Sequence, residues 1–242
     1  VLFQKTKHDD AIVTAIYPRD NELKRQDKLI AANIDQLWLV VAIEPHYEFE
    51  LIDRYLIMAE NSNLPIGIIV NKIELSSNKS KTENDFLNYQ SLGYDVHFLS
   101  VKKQINLDFF KEQLVNKSHI FLGQSGVGKS SLINSLIPDL QLRVNEISSK
   151  SKLGKHTTTN TTIYHIPSGG DLIDSPGVRE FQLDSLTELE IKSGFKEFRA
   201  LSDACRFRDC RHINEPNCAV KESLDQGKIN PNRYQSYLNI LA

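Results

Sequence analysis

The feature that most constrains the fold of this chain is a glycine-rich segment, G-Q-S-G-V-G-K-S, at residues 123–130. It follows a short apolar run at 120–122 and precedes a segment whose apolar residues recur at helical spacing. Glycines allow successive backbone N–H groups to wrap around a diphosphate, and the start of the following helix adds its dipole. A strand, this loop and a helix together predict a phosphate-binding unit in an α/β fold.

The residues of this segment have predicted roles in nucleotide binding. We expect Lys129 to reach the β- and γ-phosphates, and Ser130 to bind Mg²⁺ through its hydroxyl group. The alternative is a glycine-rich turn without a ligand, and the strand before the segment and the helix after it argue against that reading. The other predicted nucleotide contacts are Gly123, Gln124, Ser125, Gly126, Val127, Gly128 and Ser131.

The rest of the chain alternates between apolar runs and amphipathic segments. Continuous apolar runs are typical of strands buried on both faces, and strand–helix alternation is typical of a mostly parallel sheet with helices on both faces. We therefore predict an α/β fold, with a long loop at 145–162 and a polar, helical region after residue 181. The predicted strands are 37–43, 65–70, 96–99, 120–122 and 171–173, and the predicted helices are 51–59, 85–92, 107–114, one from 129, and 231–241.

Two segments after the glycine-rich loop are predicted to complete the phosphate site. In D-S-P-G, which ends the strand at 171–173, Asp174 would hold Mg²⁺ through water and the Gly177 amide would contact the γ-phosphate. The loop at 145–162 contains K-H-T-T-T at 155–159, and one threonine should complete the Mg²⁺ shell. We favour Thr158 over its two neighbouring threonines; a solvated Ser/Thr loop is the alternative.

Two other strand ends carry residues suited to reading a base. N-K-I-E at 71–74 resembles the N-K-x-D element of GTPases, in which the carboxylate accepts hydrogen bonds from guanine. Asn71 would brace the base, Lys72 would pack along the loop, and Glu74, one methylene longer than aspartate, would pair with guanine. A second segment resembles the S-A-K element, whose backbone contacts guanine O6. These elements together favour GTP over ATP, and the second one consists of Ser100, Val101 and Lys102.

The order of these elements differs from that of an ordinary small GTPase, in which the phosphate loop precedes the guanine-reading elements. Here the guanine-reading elements come first, as in the circularly permuted GTPases, and a sheet of βα units tolerates such a rearrangement because chain ends commonly lie close together. Ras-like enzymes carry Gln after D-x-x-G, whereas this chain has Val178, which cannot hydrogen-bond a water molecule. We therefore predict His156 as the catalytic residue; a loop histidine without this role is the alternative.

The three cysteines of the chain cluster near its C-terminus, in the pattern C-x₄-C-x-H-x₅-C. Three thiolates and one imidazole form a Cys₃His set for structural, tetrahedral zinc; free thiols are the alternative, and the clustering argues against them. Three arginines lie between the ligands and would either contact an RNA backbone or form a solvated basic loop. The predicted zinc ligands are Cys205, Cys210, His212 and Cys218, and the arginines are Arg206, Arg208 and Arg211.

Composition limits the class of protein without identifying a partner. The 242 residues are 40% hydrophobic and 25% charged, which is typical of a globular chain, and the net charge is −2. The longest apolar run, 37–43, is far shorter than the roughly 20 residues that span a bilayer. Position 1 is valine, so we expect further sequence upstream, and the β-branched runs at 1–3 and 11–17 would end a sheet begun there. VLFQ at 1–4 also matches a protease-tag remnant, and native strand is favoured.

Taken together, these parts resemble the ribosome small-subunit-dependent GTPase A family of circularly permuted GTPases. The resemblance rests on A-A-N-I-D at 31–35, the glycine-rich loop, G-K-H-T-T-T at 154–159, D-S-P-G-V-R-E-F at 174–181 and the Cys/His pattern. It implies three modules: the end of an OB-fold barrel at 1–30, a permuted GTPase domain at 31–180 and a helical zinc domain at 181–242.

The resemblance also implies an activity and partners. A member of this family would bind GTP and GDP with Mg²⁺, hold Zn²⁺, and hydrolyse GTP on stimulation by the 30S subunit late in its maturation. It would contact 16S rRNA through the OB and zinc modules, as a cytoplasmic monomer without a membrane attachment. One alternative is a permuted GTPase of the large subunit, a group that usually lacks the zinc pattern and H-T-T-T. Another is a passive RNA-binding module, against which Lys129 and Asp174 argue.

Overall fold

The computed structural model describes residues 2–6, 10–25, 28–140, 162–174 and 186–242. The strands in these ranges are β1 (Leu2–Lys5), β2 (Ala11–Ala15), β3 (Glu22–Arg25), β4 (Lys28–Ala32), β5 (Gln36–Ala42), β6 (Ile66–Asn71), β7 (Val96–Phe98), β8 (Ser118–Leu122), β9 (Thr162–His165) and β10 (Asp171–Asp174). The α-helices are α1 (Phe49–Asn61), α2 (Lys79–Ser91), α3 (Leu107–Glu112), α4 (Lys129–Leu136), α5 (Glu188–Gly194), α6 (Lys196–Arg199), α7 (Ala219–Asp225) and α8 (Pro231–Leu241).

Six of these strands form one sheet in the order β7-β6-β5-β8-β10-β9. Five of them run parallel, and β9 pairs antiparallel with β10 at the edge. The predicted α/β fold with a mostly parallel sheet is confirmed. From β5 the chain proceeds outward through β6 and β7, and from β8 it proceeds the other way through β10. The strand order therefore reverses between β5 and β8, and the carboxyl ends at such a reversal form the crevice in which α/β proteins bind ligands.

Helices cover both faces of this sheet because successive residues of its buried strands face opposite sides. Leu39 and Val41 of β5 lie in one core cluster, together with residues of α1 and α2. Trp38 and Val40 lie in a second cluster, on the other face, with residues of α3 and α4. The continuous apolar run that predicted β5 thus reflects burial on both faces.

A third core cluster lies among the C-terminal helices and reaches the six-stranded sheet through α1. It contains Phe195, Phe198 and Tyr237, each with no exposed surface, and it also includes Ile57 of α1. Gly194 permits this close approach, since a Cβ atom there would lie 2.6 Å from the Ile57 side chain. Helix α1 is consequently packed between the sheet and the C-terminal helices.

Two antiparallel hairpins precede the sheet. Every residue of β1 and β2 is exposed, whereas Leu23 of β3 is fully buried and belongs to the first core cluster, as does Ile30 of β4. The sequence predicted strands at 1–3 and 11–17 but neither β3 nor β4, whose charged residues obscure any apolar alternation. The module boundaries at 30 and 180 and the OB-fold interpretation stay predictions.

Other differences from prediction are confined to polar segments. Helix α2 begins at Lys79, well before the predicted residue 85, because Asn78 caps it by accepting a hydrogen bond from the Lys81 amide (3.0 Å). Strand β9 was not predicted; it is a short edge strand with mostly exposed side chains. Among the described residues, no helix is both long and apolar enough to cross a membrane.

Candidate nucleotide site and metal centre

The phosphate loop leaves the carboxyl end of β8 and leads directly into α4. Gly123, Gly126 and Gly128 all have positive φ angles, which residues with a Cβ rarely adopt. At Gly123 a Cβ atom would lie 2.1 Å from the carbonyl oxygen of Val40 in β5, so a side chain cannot be accommodated there. The glycines predicted from the motif are therefore required by the backbone conformation and by the adjacent strand.

The polar residues of the phosphate loop lie along the loop and in the first turn of α4. The Lys129 ammonium group donates hydrogen bonds to the carbonyl oxygens of Gly123 (2.5 Å) and Gln124 (2.6 Å), so it lies over the loop. Ser130 is 8% exposed in the first turn of α4, next to the loop. Gln124 and Ser125 are exposed and Ser131 is half-buried. The loop thus brings one ammonium group and a helix N-terminus together at the carboxyl ends of the parallel strands.

Asn71, the last residue of β6, joins three of the predicted elements. Its side chain is 2% exposed and donates a hydrogen bond to the carbonyl oxygen of Val127 in the phosphate loop (2.9 Å). Its side-chain oxygen accepts a hydrogen bond from the amide of Val101 in the S-V-K segment (3.4 Å). The phosphate loop and both guanine-reading segments are therefore held together by one buried amide, although they are far apart in the chain.

Lys72 reinforces this junction and also ties in a segment that the sequence did not single out. Its ammonium group donates to the carbonyl oxygens of Gly126 (2.8 Å) and Glu44 (2.5 Å). Glu44 follows β5, and the next residue, Pro45, would lie 3.6 Å from a Cβ atom at Gly126. The segment 44–48 therefore lies beside the phosphate loop. Its only signal in the sequence was its position at the carboxyl end of a buried strand.

Glu74 and Ser100, from the two predicted guanine-reading segments, follow the carboxyl ends of β6 and β7. Glu74 lies in a short 3₁₀ helix (Ile73–Leu75), and its Oε2 atom is buried and has no hydrogen-bond partner among the described residues. Ser100 is fully buried; its hydroxyl oxygen accepts from the Lys103 amide (3.0 Å), which tightens the S-V-K turn. Lys102 in that turn is exposed. A buried carboxylate oxygen without a donor fits a ligand that supplies N–H groups, as guanine does.

The remaining predicted phosphate contacts are only partly described. Asp174 ends β10, two strands from β5 and next to β8. It therefore lies at the carboxyl ends of the parallel strands, as the phosphate loop does. Gly177, Thr158 and His156 lie outside the described residues.

The four predicted metal ligands converge at one place. Their donor atoms all lie within 4.8 Å of one another, which is compatible with all four binding one zinc ion. His212 Nδ1 is 3.3 Å from Cys218 Sγ and 3.6 Å from Cys205 Sγ, so this nitrogen faces the sulfurs. Burial, followed by the charge of Lys192, lowers the pKa of His212 to about 4, and burial raises the pKa of the Cys210 thiol to about 12. A neutral imidazole suits a metal, and a buried thiolate requires a cation.

Side chains that the sequence did not single out support the backbone of this metal loop. Glu215 accepts hydrogen bonds from the amides of Arg211 (2.8 Å), Ile213 (2.9 Å) and Asn214 (3.0 Å). Burial opposes ionisation of Glu215, but these amides lower its pKa to about 2. Helix α8 supplies two further contacts, since its tyrosine hydroxyls donate to carbonyl oxygens of the loop. These pairs are Tyr234 to His212 (2.6 Å) and Tyr237 to Arg211 (2.6 Å).

Comparison with known proteins agrees with this arrangement. The sequence model of the RsgA GTPase family matches residues 16–184. The protein named Small ribosomal subunit biogenesis GTPase RsgA from Actinobacillus succinogenes is 42% identical over 99% of this chain and 71% of its own length. This chain belongs to the RsgA GTPase family. The protein of the same name from Haemophilus influenzae is also 42% identical, over 95% of this chain and 68% of its own length.

Solved structures extend the similarity to the three-dimensional fold of this RsgA GTPase. YjeQ from Thermotoga maritima superposes with a TM-score of 0.80 at 30% identity, over 99% of this chain and 80% of that chain. YloQ, described as a circularly permuted GTPase, gives a TM-score of 0.78 at 29% identity, over 99% and 77% of the two chains. The predicted family and the circularly permuted GTPase fold are therefore confirmed.

Proposed function

We propose that this RsgA GTPase hydrolyses GTP to GDP and phosphate in the biogenesis of the small ribosomal subunit. The observation that carries the proposal is the position of Asn71, which links the phosphate loop to the S-V-K segment in a site built from elements of permuted order. The names of its relatives supply the ribosomal context. The Cys₃His cluster, which the family resemblance also implies, supports the small subunit over the large one.

Each part of the site has a proposed task. Lys129 and the loop amides bind the β- and γ-phosphates, and Gly177 contacts the γ-phosphate. Ser130 and Thr158 would hold Mg²⁺ through their hydroxyl groups, and Asp174 would hold it through water. When bound, Mg²⁺ neutralises charge on the phosphates. His156 orients the water molecule that attacks the γ-phosphorus, a task that Val178 cannot perform.

For the metal loop we propose a structural zinc ion. All four positions of a tetrahedral ion are filled by protein donors, so no position remains for a reacting water molecule. Arg206 and Arg208 are exposed on this loop and would contact the phosphates of 16S rRNA, whereas Arg211 pairs with Glu188 (2.6 Å). Work on the 30S subunit implies a cytoplasmic location, and we propose that the protein acts as a monomer.

The proposal is tested by measuring GTP turnover with and without purified 30S subunits. We expect 30S subunits to raise turnover, and 50S subunits to leave it unchanged; equal turnover with and without 30S subunits would refute the role in small-subunit biogenesis. Lys129→Ala serves as the inactive control. His156→Ala should lower stimulated turnover and leave GTP affinity nearly unchanged, and an equal loss of both would contradict the catalytic role.

Selection of guanine by Glu74 is tested separately. We propose that its buried, unpartnered Oε2 atom accepts a hydrogen bond from guanine. Displacement of a fluorescent GDP analogue should therefore require far more ATP than GTP, and Glu74→Gln should reduce that difference because it replaces one accepting oxygen with an NH₂ group, which can only donate. Competition by ATP at concentrations comparable to GTP in the unaltered protein would refute the assignment.

A further inference from the structure

Helix α1 connects the phosphate loop with the C-terminal helices around the metal loop, and the proposed function depends on both regions. Its first turn follows segment 44–48, beside the phosphate loop, and its last turn lies toward the amino ends of the parallel strands. One side of α1 packs on the sheet through Ile52 and Leu56, and another packs on the C-terminal helices through Ile57. A displacement of the C-terminal helices would therefore act directly on α1.

A buried ion pair fixes α1 to α8. Asp53, one turn into α1, is fully buried and pairs with Arg233, which is 3% exposed. Arg233 also forms a two-pronged pair with Glu197 of α6 (2.8 Å and 3.0 Å) and stacks over Phe195 at 4.4 Å. Burial disfavours the charge, yet Asp53 and Glu197 raise the pKa of Arg233 above its ordinary value. The planar guanidinium group holds three helices in one orientation.

The same helix α8 supports the metal loop. Tyr234 and Tyr237, within one turn of Arg233, donate hydrogen bonds to the carbonyl oxygens of His212 and Arg211. A shift of the metal loop would therefore be passed to α8 through two short hydrogen bonds. Coupling between distant sites requires such a continuous chain of packed and hydrogen-bonded groups.

The path continues from Asp53 to the phosphates. Five residues before the start of α1, the carbonyl oxygen of Glu44 accepts a hydrogen bond from Lys72, whose ammonium group also binds the Gly126 carbonyl of the phosphate loop. Pro45 lies against Gly126. The orientation of α1 therefore determines the position of segment 44–48, and that segment contacts the loop that binds phosphate.

We propose that Arg233 is a positioning residue for GTP hydrolysis: through Asp53 and α1 it transmits the position of the metal loop to segment 44–48 and the phosphate loop. The proposal rests on the proposed function, in which the metal loop contacts the small subunit. It explains why a buried ion pair is used at this interface. Such a pair is weak evidence for stability, since an apolar replacement of similar volume is often as stable, but it fixes relative orientation.

The test compares two substitutions that disturb the contacts of α1 with the C-terminal helices, one in its first half and one in its last turn. Arg233→Met breaks the ion pair with Asp53 in the first half of α1 and puts an apolar side chain in place of the guanidinium group. Glu60→Gln weakens a different contact between α1 and the same C-terminal helices, since Glu60 pairs with Lys196 (3.0 Å) and Arg199 (3.2 Å) in the last turn of α1. For each variant, kcat and KM for GTP are measured with and without 30S subunits, together with zinc content and 30S affinity.

We expect Arg233→Met to lower the 30S-stimulated kcat at least fivefold, with zinc content, 30S affinity and unstimulated turnover within twofold of the unaltered protein. Glu60→Gln should leave all of these within twofold. Full stimulation in Arg233→Met, or an equal loss in both variants, would overturn the proposal. If Arg233→Met does not fold, Asp53→Asn, which is isosteric, is expected to show the same loss, and full stimulation in that variant would overturn the proposal equally.

A second readout separates this inference from the proposed function. Hydrogen–deuterium exchange of segment 44–52 and of the phosphate loop should increase severalfold in Arg233→Met and not in Glu60→Gln. If 30S subunits do not stimulate the unaltered protein, the proposed function fails, and the exchange result still decides whether Arg233 positions the phosphate loop. Unchanged exchange would refute that role.

Discussion

Asn71→Ala isolates the contact that joins the phosphate loop to the guanine-reading elements. The substitution removes the only hydrogen bond that the described residues give to Val127 from a side chain, at a position that is 3% exposed. It also removes the longer hydrogen bond from the Val101 amide. A buried polar group left without a partner costs about 1–3 kcal/mol.

The surroundings of the loop determine whether this free-energy cost lowers the stability of the protein or its affinity for nucleotide. Gln124, Ser125 and Gly126 are exposed, so in the free protein the loop can shift until water reaches the Val127 carbonyl. Nucleotide binding must then restore the ordered loop, so the cost reduces affinity. Because about 1.4 kcal/mol is a factor of ten, the loss of the Val127 hydrogen bond alone predicts roughly 5- to 150-fold weaker binding of GDP and GTP.

The assay is titration of a fluorescent GDP analogue, with thermal unfolding measured on the same samples. Asn21→Ala is the matched control, since Asn21 also uses its amide to donate to and accept from backbone groups, both of Ile34 (2.8 Å each), remote from the phosphate loop. The control should lower the unfolding temperature and leave affinity unchanged. Affinity within twofold of the unaltered protein in Asn71→Ala would refute the reasoning.

Three other predictions concern the metal centre and the loop glycines. Cys210→Ser should lower the zinc content measured by elemental analysis well below one ion per chain, and undiminished zinc would remove this cysteine from the ligand set. Burial, followed by the charge of Lys192, lowers the pKa of His212 from 6.5 to about 4, so the folded state disfavours its protonation. The stability of the zinc-free protein, measured by urea unfolding, should therefore be complete above pH 6.5 and decline as the pH falls toward 4; a flat profile over that range would contradict this. Gly123→Ala should abolish nucleotide binding because its Cβ would lie 2.1 Å from the Val40 carbonyl oxygen, whereas Gly93→Ala, with positive φ but open space, should only reduce stability slightly.

The sequence predicted those parts of the fold whose signals are local. The buried run of β5 and the glycines of the phosphate loop each carry their own pattern, and the structure has both in the expected place. Strand β9 was missed because its four residues are mostly exposed and carry no apolar run. The cap at Asn78 was missed because the first half of α2 is polar.

The contacts that were not predictable are those between distant residues. Asp53 and Arg233 are separated by 180 positions, and each looks like an ordinary surface charge on an amphipathic helix. Nothing in their spacing indicates a buried pair, because the pair exists only once α1 and α8 pack together. The same holds for Glu215 and the two tyrosines of α8, which support the metal loop that the cysteine spacing itself predicted.

The permuted order has a structural consequence beyond the rearrangement itself. Because β10 is the last strand of the sheet in chain order, only the thirteen residues 175–187 separate Asp174 from the C-terminal helices. The chain therefore links those helices directly to the carboxyl end of β10. They are also linked to α1 without a covalent bond, through the ion pair between Arg233 and Asp53. In the ordinary order the chain would instead end after the guanine-reading elements. Permutation therefore places the C-terminal helices, which flank the Cys/His cluster, close to the phosphate site in chain order as well as against α1.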